Sequence, residues 1–128
     1  MYNTKNLRRY LTALISEALE ADGSTGWPVC NGCDSSGARR VVLFQTYDLS
    51  SLDERERINL EINVIGPQSD MDSIEAATDA VLKLDRYVSQ QEDCIFYLYK
   101  STRNRIDGGD GHTVRYRCTF DLYLYERS

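Results

Sequence analysis

Two thiols with two residues between them, Cys30-Asn31-Gly32-Cys33, are the only residues in this chain with the spacing of metal ligands. A structural zinc takes four such ligands, usually two pairs or a pair with two histidines. Here no second pair follows, and His112 is the only histidine, so Cys30 and Cys33 make at most half a zinc site. A redox role is no better supported: the pair falls in a loop after a helix, not at the start of a helix after a strand. Asp107-Gly108-Gly109-Asp110-Gly111 places acids among glycines as a calcium loop does, but the regular acid spacing and distal Glu are missing. Turn-forming composition accounts for it. His112 has no Ser or Cys nucleophile motif beside it, and no Gly-rich loop leads into a helix to cradle phosphate. These residues predict neither an enzyme nor a resident cofactor.

The elements that would position them follow from periodicity. Residues 4–20 read as an amphipathic helix, with Leu7, Leu11, Leu14, Ile15, Ala18 and Leu19 on one stripe, Thr4 at its start and Asp22-Gly23 at its end. The Gly- and Ser-rich stretch 22–38 is a loop that can hold a short edge strand at Trp27-Pro28-Val29-Cys30. Residues 40–47 and 58–64 read as a strand pair, the second alternating apolar and polar. A second helix is expected from Ser69 or Asp70 to about Gln90, along Met71, Ile74, Thr78, Val81, Leu84 and Val88. Strands at 94–99, at 103–106 and at 113–125 complete the chain. The expected class is α+β: an antiparallel or mixed sheet with two helices packed on one face, in the order α-β-β-α-β-β. All 128 residues form one domain.

Charge is unevenly distributed. The net charge is −5, yet Asp48 to Asp93 holds twelve acids against four bases. Such a chain is a poor grip for nucleic acid, whose affinity comes from Lys and Arg displacing counterions. It can still surround DNA without holding it. No apolar run reaches the ~18 residues of a membrane helix, the N-terminus reads as no signal peptide, and the four cysteines are expected to be reduced.

Against this acidity, Arg103, Arg105, Arg115 and Arg117 bracket the Gly-rich turn and, if the two strands pair, share one end of a hairpin. That patch suits docking on the acidic surface of a second copy, although a solvated hairpin avoiding edge aggregation explains it too. Tyr97, Tyr99, Tyr123 and Tyr125 crowd the C-terminal strands, a composition enriched at interfaces, though a helix of the same domain could equally cover them. The expected subunit interface is therefore Arg103, Arg105, Arg115, Arg117, Tyr123 and Tyr125.

With these elements in place, the chain resembles the tail-terminator and minor-capsid (head-tail joining) proteins of long-tailed bacteriophages. The resemblance rests on the helix NLRRYLTALISEAL, the hairpin RRVVLFQTY…RINLEINVIG, the helix DSIEAATDAVLKLDRYV and the closing FYLYKSTRNRIDGGDGHTVRYRCTFDLYLYER. It implies a ring, commonly hexameric, at the head-proximal end of the tail, which stops tube polymerisation and meets the head connector. It further implies partners in the tail-tube and head-connector proteins and a channel through which DNA passes unbound. Its expected location is the virion tail, reached by assembly in the host cytoplasm, with no membrane partner. The loop Asp107, Gly108, Gly109, Asp110, Gly111 and His112 would then be a docking segment that orders on contact. The alternative is a small adaptor that uses the same tyrosine face or sheet edge for a host or regulatory partner.

Overall fold

The computed structural model describes residues 4–31, 39–47, 55–107 and 111–127. Helix α1 (Thr4–Ala21) buries Leu7, Leu11, Ile15 and Leu19, a step of four that keeps one stripe inward. Gly23 ends it at a positive φ of 78°, with its N–H and that of Ser24 closing on the carbonyls of Glu20 and Leu19. Then follow β1 (Val29–Asn31), β2 (Arg40–Tyr47), β3 (Arg55–Pro67), a 3₁₀ turn (Gln68–Asp70) and helix α2 (Met71–Leu82). Strands β4 (Val88–Gln90), β5 (Cys94–Asp107) and β6 (Thr113–Glu126) complete the fold.

The six strands among the described residues form one curled sheet in the order β1-β2-β3-β6-β5-β4. Only β1 and β2 run parallel, so the sheet is mixed. Alternation decides its inner face. Ile58, Leu60, Ile62 and Val64 of β3 oppose Leu122, Phe120, Cys118 and Tyr116 of β6, and all are buried. Phe96 and Leu98 of β5 and Val41 and Leu43 of β2 extend that layer. The same core cluster takes Leu7, Leu11, Ile15 and Leu19 from α1 and Ile74, Ala77, Ala80 and Val81 from α2. Burying each such aliphatic side chain is worth ~1.5–3 kcal/mol.

The structure departs from the sequence expectation in three places. The observed order is α-β-β-β-α-β-β-β: the edge strand allowed for near Trp27-Pro28-Val29-Cys30 forms as β1, and an unforeseen short strand, β4, flanks the four long ones on the other side. Helix α2 stops at Leu82, not Gln90. Val88, read as part of the helical stripe, is 44% exposed on β4, while Arg86 turns the chain at a positive φ of 66°. Pairing to β5 overrides the helical period: the Arg86 N–H donates to Leu98 O, and the Leu98 N–H donates to Tyr87 O. Finally, 94–99 and 103–106 are one strand, interrupted only by an irregularity between Lys100 and Thr102. Asp85 accepts the Lys100 backbone N–H there at 2.8 Å, so the interrupted donor keeps a partner.

Of Ser69 and Asp70, the two residues expected to start α2, Asp70 is the one at its N-terminal end. It stands at the N-cap position but makes no capping bond. Its carboxylate instead takes the Arg39 guanidinium at 2.6 Å, and Arg39 also lies over the Trp27 ring. That bond holds the Asp70 carboxyl below its usual range. A depressed folded pKa gives stability that is present above the unfolded pKa, ~3.9, and lost as pH falls through the folded value. Asp70→Asn is therefore expected to unfold at lower urea than the parent at pH 7, with the gap closing as pH falls below the ordinary carboxylate range.

Gly66 lies where β3 meets α2: a Cβ there would come within 3.0 Å of Ile74 Cδ1 and Cγ1, a fully buried side chain. Gly66→Ala should destabilise by about 1–3 kcal/mol in urea titration.

Candidate functional site

Opposite the core, the sheet presents an open face whose rows can be read across the strands. At one end Tyr123 lies between Arg57 and Tyr97, and Val88 follows on β4. In the next rows Tyr125 opposes Ile95, and Asp121 lies between Asn59 and Tyr99. Tyr97 meets Tyr125 edge-to-face at 5.7 Å between ring centroids, and Tyr99 meets Tyr123 at 5.8 Å. Such pairs add ~0.5–1.5 kcal/mol each beyond area burial. The four rings line an open cleft of about 430 Å³, and Tyr99 and Tyr125 remain 45% and 38% exposed. Arg57 and Asp121 form an ion pair at its rim, 3.2 Å apart.

The other end is polar and basic. Arg117 and Glu61 approach to 3.6 Å, an ion pair too long for a hydrogen bond. Asn63, between Val42 and Arg117 in the register, is 1% exposed; its amide donates to Glu61 at 3.2 Å, while its Oδ1 has no hydrogen-bond partner among the described residues. Arg115 is exposed in the last row, between Ile65 and Ile106. Phe44 on β2 is 41% exposed opposite Glu61.

The four expected arginines do share one end of the β5–β6 hairpin, but on two sides of it. Register explains this. Leu98 pairs with Leu122 on the core side, and after the irregularity Arg103 pairs with Cys118 and Arg105 with Tyr116, also on the core side. Arg103 therefore reaches Asp79 of α2 at 3.8 Å and lies over the Tyr116 ring, whose hydroxyl donates to Glu75. Arg115 and Arg117 stay on the open face with Tyr123 and Tyr125. The residues that sequence reasoning passed over are Glu61, Asn63, Ile65, Phe44 and Val88. Alternation marked Asn63 as wet, and only the register reveals that its neighbours enclose it.

Cys30 lies half-buried on β1 beside Val42, whereas Cys33 falls outside the described residues. No group of three or more His, Cys, Asp or Glu able to hold a metal exists among the described residues. Of the expected docking loop, Gly108, Gly109 and Asp110 lie outside the described residues. Asp107 ends β5, Gly111 has a positive φ of 73°, and exposed His112 accepts the Gln68 N–H through its carbonyl at 2.7 Å. No helix among the described residues is long and apolar enough to cross a membrane.

Burial pushes the Cys118 thiol up to about 11, against the smaller opposing pull of Arg103 and Lys100. The thiolate is the reactive form, so Cys118 should be inert near neutrality. A chromogenic disulfide reagent at pH 8 is expected to leave Cys94 and Cys118 untouched in the folded protein and to titrate both in denaturant.

No protein-family model and no curated protein sequence matches the chain. Its fold does match solved structures. It superposes on a chain from the virion of a native gene transfer agent particle with a TM-score of 0.67, at 16% identity, over 88% of this chain and 92% of that one. A second solved chain superposes with a TM-score of 0.73 at 12% identity, over 100% of this chain and 99% of its own length. At these identities the likeness is one of fold.

Proposed function

We propose that this chain is a structural subunit of a phage-like virion, working by assembly with copies of itself and not by turnover. The observation that carries the reading is the shared fold with the gene transfer agent virion chain, which spans nearly the whole of both chains. The open sheet face supports it. Exposed tyrosines in edge-to-face pairs present rigid amphipathic area of the kind enriched at interfaces. In finer detail the protomers close into a ring, commonly a hexamer, at the head-proximal end of the tail. The ring halts tail-tube polymerisation, meets the head connector and passes DNA through an acidic channel that repels phosphate. Interface residues on this reading are Arg115, Arg117, Tyr123 and Tyr125 directly, with Arg103 and Arg105 supporting the hairpin from its other side.

Light scattering after size exclusion, with and without tail tubes, tests this together with negative-stain imaging. An annulus at high concentration or at tube ends is the expected result. The double variant Tyr97→Ser, Tyr123→Ser should weaken self-association about tenfold or more, since buried aromatic anchors carry most of an interface's energy, while keeping the fold by circular dichroism. A strict monomer that ignores tube ends but captures a host protein through the tyrosine cleft would favour the adaptor reading instead.

A further inference from the structure

Helix α2 carries Asp72, Glu75 and Asp79 on its exposed side and contains no basic residue. The basic end of the open sheet face carries Arg115 and Arg117, with Arg40 across from Ile65 in the same row as Arg115. These two surfaces lie on opposite sides of one protomer, because the buried side of α2 packs into the core against the inner layer of the sheet. A single chain cannot bring them together; two copies can. Resting on the assembly reading above, we propose that the basic end of the open sheet face receives helix α2 of a second copy, head to tail.

The dimensions agree. Arg115 and Arg117, two residues apart on one strand face, stand ~7 Å apart along the strand. Asp72, Glu75 and Asp79 step by three and four residues, which puts successive Cβ atoms ~5–6 Å apart. The whole helix is ~18 Å long, about the width of four strands at ~4.8 Å spacing. Beside Arg115, half-buried Ile106 gives the sheet some apolar surface, and exposed Ala76 gives the helix a small residue that permits close approach. A two-fold contact through the sheet face alone would set arginine against arginine, which opposite-sign recognition avoids. Unlike patches on opposite sides generate heterologous contacts, and these close into rings when the rotation allows.

Charge exchange tests the proposal. Variant one carries Arg115→Glu and Arg117→Glu; variant two carries Asp72→Lys and Glu75→Lys, leaving Asp79 to its Arg103 partner. Each alone is expected to lose self-association at least tenfold by sedimentation velocity, with circular dichroism and melting temperature confirming the fold. An equimolar mixture should recover assembly, because every contact between unlike variants again joins opposite charges. Failure of the mixture to recover, or wild-type association by either single variant, overturns the proposal. If wild type and variants associate alike while the tyrosine variant does not, the assembly reading stands and the α2 contact falls. If wild type never self-associates, even at tube ends, both fall.

Discussion

The pairing of β3 with β6 is the constraint on which everything else depends. The two strands lie side by side in the middle of the sheet over thirteen register positions, from Arg55 opposite Tyr125 to Pro67 opposite Thr113. Side chains on a strand alternate, so this one alignment commits Ile58, Leu60, Ile62, Leu122, Phe120 and Cys118 to the core. The same alignment commits Asn59, Glu61, Asn63, Arg117, Asp121 and Tyr123 to the reverse side. A slip of one residue would exchange the two sets. The hydrophobic term fixes the register, and the register then composes the open face.

Much of the fold was legible in the sequence because its strongest signals are periodic. The four-residue step from Leu7 to Leu19 and the alternation through β3 and β6 translate directly into buried stripes. What misled was a pattern continuing past the point where tertiary contacts take over. Val88 keeps the helical period of α2, yet its backbone is claimed by β5, and Ser89 is buried in place of it. Local periodicity carries no information about a strand that supplies an edge from elsewhere in the chain. The short β4 is set by its neighbour and not by its own composition, whereas β1 forms within a residue of the edge strand that Trp27-Pro28-Val29-Cys30 suggested.

The candidate site was half visible. Composition singled out the tyrosines and the hairpin arginines, but composition does not say which side of a sheet a residue occupies. Tyr97, Tyr99, Tyr123 and Tyr125 do share a face and pair as rings. The arginines do not: Arg103 stands over Tyr116 and leans toward Asp79, whereas Arg117 leans toward Glu61. Arg103 and Arg117 thus each have a local acid to moderate them, and what is left to face outward is less charge than the raw count of the hairpin suggests. At such exposed pairs the gain is small, ~0–1 kcal/mol, so their effect is on orientation more than on stability.

The irregularity between Lys100 and Thr102 has a consequence for how this hairpin can vary. It inverts the odd-even identity of every later residue in β5, so it acts as a parity switch between Leu98 and Arg103. Straightening the strand there without losing a residue would turn Arg103 and Arg105 onto the side of Arg115 and Arg117, crowding four guanidinium groups and stripping Asp79 of its cation. Deleting the one extra residue, by contrast, makes the strand regular and leaves Arg103 opposite Cys118. The inserted residue, and no change of side chain, thus decides which surface those two cations serve.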